Sequence, residues 1–166
     1  MANPPVTIGP FTSVPAPGSP IVSPWPQQVS TVVTALPRGY VAHTFTNANQ
    51  NLNTGQTLLG ACTSTYNLDA AYGTRRLLLT GQVLYRRGSG DPSSDVWLTL
   101  IGTGGAGNIA TGLTWCQVAG SAQITLFAYV TVAPGTGYTL SMNGWTSLGG
   151  AQAQDRFTSV QDLGKA

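Results

Sequence analysis

The chain has 166 residues and a mass of 17.2 kDa, enough for one domain with a real core and too few for two comfortable ones. Hydrophobic residues make up 42%, which excludes a chain disordered by composition, and the net charge of +2 is too small for binding along a phosphate backbone. Only 7% of residues are charged and none is glutamate, so Glu/Lys helix formers are nearly missing and Gly, Thr, Ser, Val and Leu favour strands and turns.

The N-terminal stretch holds eight prolines, Pro4, Pro5, Pro10, Pro15, Pro17, Pro20, Pro24 and Pro26. Each fixes φ and lacks a backbone donor, which excludes regular helix or central strand there. Apolar side chains nevertheless recur among them, and a solvated linker has little use for these. The pattern predicts an extended docking arm over residues 1–38, with Ile8, Phe11, Ile21 and Trp25 as its anchoring side chains. Gln27 to Val33 reads as a short helix or turn that leads into the domain.

Residues 39–166 change to short alternating segments separated by Gly, Asn, Asp, Ser and Pro. Strands are expected at Tyr40–Thr46, Gln56–Tyr66, Arg75–Tyr85, Val96–Ile101, Ile109–Val118, Ala122–Val132, Tyr138–Asn143 and Arg156–Gln161. Gly88–Pro92, Gly102–Gly107, Pro134–Gly137 and Gly144–Ala153 read as loops. About eight short strands without a helical period predict an all-β fold, an antiparallel β-sandwich or jelly roll. Ala122–Val132 alternates most cleanly, with Ile124, Leu126, Ala128, Val130 and Val132 on one face and Thr125, Phe127, Tyr129 and Thr131 on the other. Trp97, Phe127 and Tyr129 make the second face unusually aromatic, and they are the candidate subunit interface.

No constellation for chemistry emerges, so the chain reads as a non-enzyme with no cofactor and no metal. His43 is the single histidine, and no Gly-x-Ser-x-Gly elbow accompanies it. Asp91 and Asp95 share one loop without the spacing of a calcium site, and Asp91-Pro92 reads as a turn. The glycine run at 102–107 lacks the Lys-Ser/Thr of a phosphate loop. Arg75-Arg76 and Arg86-Arg87 bracket a strand and read as solvated strand ends. Cys62 and Cys116 lack metal-ligand spacing and read as small buried hydrophobes; a disulfide between them stays open at this stage. No signal peptide and no apolar run of membrane-spanning length are expected.

Several phrases resemble structural proteins of siphophages that infect actinobacteria. These are Pro17-Gly18-Ser19-Pro20-Ile21 followed by Trp25, then Leu36-Pro37-Arg38-Gly39 before a strand, then Arg75-Arg76-Leu77-Leu78-Leu79-Thr80-Gly81, and the closing Phe157 to Gly164 with its Asp162-Leu163-Gly164. The prolines around Trp25 and the longer stretch before Pro17 depart from that pattern. The resemblance implies a minor tail or fibre-like virion protein with a TNF/C1q-like jelly roll, which is typically trimeric. It implies partners that include itself and capsid or tail proteins reached by the arm; from the expected lack of a signal peptide, of a basic cluster and of a long apolar run, synthesis in the host cytoplasm and no nucleic acid or membrane partner are expected. Capsid decoration is the alternative placement. A module binding host surface glycan through Trp97, Trp115, Trp145 and Tyr138 is a further one.

Overall fold

A computed structural model describes residues 36–102 and 108–166. The expected arm side chains Ile8, Phe11, Ile21 and Trp25, the Gln27–Val33 segment and residues 103–107 of the glycine run lie outside the described residues.

Among the described residues there are ten strands: β1 (Gly39–Thr46), β2 (Gln50–Asn51), β3 (Thr57–Leu58), β4 (Ser64–Asn67), β5 (Arg75–Arg87), β6 (Ser94–Gly102), β7 (Asn108–Cys116), β8 (Ser121–Val132), β9 (Gly137–Thr146) and β10 (Ala151–Lys165). A single 3₁₀ turn, Ala70–Tyr72, leads into β5. Two antiparallel sheets result. Sheet A runs β1-β10-β5-β8, with β2 also on β10; sheet B runs β3-β9-β6-β7, with β4 also on β9. The expected antiparallel sandwich is therefore the observed fold. Ten strands replace eight because each sheet has one broken edge: β2 continues β1 along β10, and β3 and β4 share β9.

The expected strand at Gln56–Tyr66 breaks for a local reason. Ala61 sits at a φ of 55°, which turns the chain and drops Cys62 into the core between β3 and β4. The loop expected at Gly144–Ala153 is shorter in fact, since β9 runs on to Thr146 and β10 already starts at Ala151.

Alternation fills the space between the sheets. Leu77, Leu79, Val83 and Tyr85 of β5 face Val96, Leu98 and Leu100 of β6 and Leu140 and Met142 of β9, all fully buried. The Tyr85 hydroxyl crosses the core to donate to the Trp97 carbonyl at 2.7 Å. Gly81 lets the sheets close: a Cβ there would lie 2.2 Å from Leu100 Cδ2 and 2.9 Å from Met142 Sδ.

The arginine doublets correct the reading of solvated strand ends. Positions 75 and 87 share the inward phase of Leu77 and Tyr85, so Arg75 and Arg87 are buried while Arg76 and Arg86 point out. Arg75 pairs with the equally buried Asp162, Nη2 to Oδ1 at 2.9 Å and Nε to both carboxylate oxygens at 3.0 Å. The Tyr66 hydroxyl and the Gly164 N–H also donate to that carboxylate, and Arg75 reaches the Leu36 carbonyl. Arg38 donates from its own N–H to the Asp162 carbonyl at 3.2 Å, and its guanidinium stacks 4.6 Å from the Tyr72 ring centroid. The point where the chain enters the domain is thus pinned by one buried ionic cluster. At the opposite end, Arg87 donates to the Pro92 and Gly149 carbonyls and to Ser94 and Thr146, tying two loops to β5.

Removing one partner of a buried, hydrogen-bonded ion pair leaves an uncompensated charge, which typically costs about 3–5 kcal/mol. Asp162→Ala is expected to destabilise by that amount, read as a fall in the urea midpoint with the unfolding slope unchanged. Gly81→Ala is expected to cost about 1–3 kcal/mol by overpacking, whereas Gly90→Ala, with open space around it, is expected to leave the midpoint where it is.

Candidate functional site

The feature that stands apart is the outer face of sheet A. Register places its outward side chains in three rows across β1, β10, β5 and β8. The first is Tyr40, Gln161, Leu78 and Tyr129; the second His43, Ser159, Thr80 and Phe127; the third Phe45, Phe157, Gln82 and Thr125. None of the twelve is Asp, Glu, Lys or Arg. Tyr40 is 70% exposed, Phe45 61%, Phe127 63% and Tyr129 73%. Four aromatic rings so exposed offer on the order of several hundred Å² of apolar surface, the upper limit for a lone soluble chain. Charge lies outside these rows, where Arg76 and Arg86 project at the two ends of β5 and Asp155 is exposed at the bulge of β10. An apolar centre with a polar rim is the anatomy of a protein interface.

Local sequence explains the rows. A β-bulge between Tyr40 and Ala42 turns Tyr40 to the same side as His43 and Phe45. A second bulge at Asp155 resets the phase of β10, so that Phe157, Ser159 and Gln161 face out while Thr158, Val160 and Asp162 face in.

The three expected interface residues do not share one face. Phe127 and Tyr129 come together on sheet A, while Trp97 lies on the outer face of sheet B. There it stacks on Trp145, ring centroids 5.6 Å apart and planes 2° from parallel. Leu113 pairs with Trp97 in register, and Trp115 stands opposite Asp95. Leu113 and Trp115 are each more than half exposed. Tyr138, considered above for stacking on sugars, is buried in the core and cannot meet a ligand on either face. Tyr40, Phe45 and Phe157 were missed because pairing of β1 with β10, more than a hundred residues apart, is not legible locally.

His43 lies on the sheet A face between Tyr40 and Phe45. The Asp91 carboxylate accepts from the Gly88 N–H at 3.1 Å and closes its own turn, as the Asp91-Pro92 pattern predicts. Among the described residues no three His, Cys, Asp or Glu side chains gather as a metal site would require. Cys62 and Cys116 are separate buried thiols. Burial pushes both thiols above their ordinary range, partly countered at Cys62 by a hydrogen bond with Thr158 and at Cys116 by the charge of Arg87. Burial likewise raises the phenols of Tyr66, Tyr85 and Tyr138.

No family model matches the sequence, and no curated protein matches it. Solved structures do match in fold. Eiger TNF from S. frugiperda superposes with a TM-score of 0.53 at 14% identity, covering 78% of this chain and 96% of that one. Murine APRIL gives a TM-score of 0.43 at 11% identity, covering 76% of this chain and all of that one. The domain is a TNF-like jelly roll.

Two outcomes follow from the raised values. Thiolate is the reactive form of cysteine, so neither thiol is expected to react with iodoacetamide at pH 8 until the domain unfolds; rapid labelling of the folded chain contradicts their burial. A raised phenol favours the folded state while it is neutral. That contribution is fully present below the ordinary phenol value near ~10 and is lost as pH rises from there through the raised folded values. The denaturation midpoint is therefore expected to fall steeply above about pH 10, as read by circular dichroism.

Proposed function

We propose that this chain is a non-enzymatic structural protein of a phage particle, a homotrimer assembled through the outer face of sheet A and attached to its neighbours by the arm of residues 1–38. The observation that carries the self-association is that face: Tyr40, Phe45, Phe127 and Tyr129 exposed together, with no charged residue among the twelve side chains. Burying apolar area is favourable by roughly 25 cal/mol per Å² before the losses of association, so a face of this size supports a stable complex once copies meet. The surface has little charge to keep single copies apart, with 7% charged residues in the whole chain. Threefold symmetry follows the TNF-like fold and the TNF/C1q-like resemblance. The particle assignment rests on the four phage-like phrases. Within the particle, a tail or fibre-like position follows those same phrases, and capsid decoration is the other placement.

Light scattering on the purified chain is expected to give three times 17.2 kDa. Phe127→Ser with Tyr129→Asp is expected to give monomers with an unchanged circular dichroism spectrum. A wild-type monomer at high concentration, or a trimer indifferent to the double substitution, removes this reading of the face. Immunogold labelling of intact particles tests the rest. Label on the tail supports the first placement, label over the head the second, and unlabelled particles remove the virion assignment.

A further inference from the structure

Self-association through sheet A leaves a second aromatic face uncovered. Trp97, Trp145, Leu113 and Trp115 stand together on the outside of sheet B, and mutual stacking engages only one face of each of the two paired indoles. Three of the chain's four tryptophans lie here. The fourth, Trp25, belongs to the arm together with nine of the eleven prolines.

The arm and this face suit each other chemically. Residues 1–35 contain no Asp, Glu, Lys, Arg or His, and Asp95 is the one charged side chain in the rows that hold the tryptophans. Proline-rich segments dock on aromatic-lined surfaces because their backbone is preset and little conformational entropy is lost on binding. Phe11, Ile21 and Trp25 would be covered by the same contact. Leu36 is held at the Arg75 end of sheet A, next to the β1 edge that lies over β4 of sheet B. The tryptophans lie toward the other end, beside the Ser94 and Thr146 that Arg87 binds. Along β5 those two ends are roughly 40 Å apart at about 3.3 Å per residue. At no more than about 3.1 Å per residue, the chain from Leu36 to Trp25 reaches at most roughly 34 Å and the chain from Leu36 to Phe11 at most roughly 78 Å. The arm can therefore meet this face on its own domain only through residues that precede Trp25, and on an adjoining copy through any of them.

We propose that the N-terminal arm of this protein docks on the Trp97–Trp145 face, of its own or a neighbouring copy, and links two subunits where the face is a neighbour's. This goes beyond the particle assignment and does not depend on it.

The test uses the full chain with p-benzoylphenylalanine in place of Trp25 and, separately, in place of Phe11. After illumination, peptide mass mapping is expected to find adducts on the segments that carry Trp97, Leu113, Trp115 or Trp145, within one chain or between two. Leu113→Asp, an exposed substitution, is expected to reduce them at least several-fold with circular dichroism unchanged. Adducts on sheet A, adducts indifferent to Leu113→Asp, or none from either position overturn the proposal. Oligomeric mass is read on the same samples. A monomer that still gives these adducts loses the trimer and keeps the arm site; a trimer without them does the reverse.

Discussion

The fold turns on the ion pair between Arg75 and Asp162. Two charges removed from water cost several kcal/mol each unless every lone pair and proton finds a partner. Here the carboxylate receives Arg75, the Tyr66 hydroxyl and the Gly164 N–H, and the guanidinium also reaches Leu36. Only one alignment of β5 with β10 satisfies that set. Because strand side chains alternate, a slip of one residue would send the whole outward row of either strand into the core. The pairs that place Gln161 beside Leu78 and Ser159 beside Thr80 in the outward rows therefore inherit their order from an interaction buried at one end of the sheet. Arg87 plays the matching part at the other end of β5, where it fastens loops in place of a carboxylate.

A sandwich needs only its inner faces to be apolar. This one is aromatic on both outer faces as well, with very little charge anywhere. Such a surface is poorly suited to life as a lone chain and well suited to coverage. The two faces differ in kind. Sheet A offers a broad set of rows with arginines at its margin, the geometry a copy of itself can match by symmetry. Sheet B offers a compact tryptophan cluster, better matched to a narrow extended segment. A single chain thus presents two different apolar surfaces, one broad and one compact.

Much of this was legible in the sequence. Alternation in Ala122–Val132 identified the inner and outer faces of β8 correctly, and the Gly and Asp-Pro punctuation located the turn at Gly88–Pro92. The inward phase of β5 was also legible: extending Leu77, Leu79, Gly81, Val83 and Tyr85 by one step each way lands on Arg75 and Arg87. Reading doublets as surface charge overrode that arithmetic, since arginine is rarely buried unless paired and the partner, Asp162, lies 87 residues away. The same limit separated Trp97 from Phe127. Alternation says that both face outward and says nothing of which sheet holds each strand. Bulges at Val41 and Asp155 are equally silent, because one extra residue in a strand leaves no compositional mark.

The position of β10 bears on the order of events during synthesis. It is the last strand of the domain and yet central, with β1 on one side and β5 on the other. Until it leaves the ribosome, β1 has no partner in its sheet and Arg75 has no counter-charge. Tyr129 and Phe127 stand on β8, which can pair with β5 before that, but the rows across sheet A are completed only by β10, whose every pairing spans a long stretch of chain. The full breadth of the apolar face is thus the last part of the domain to be assembled.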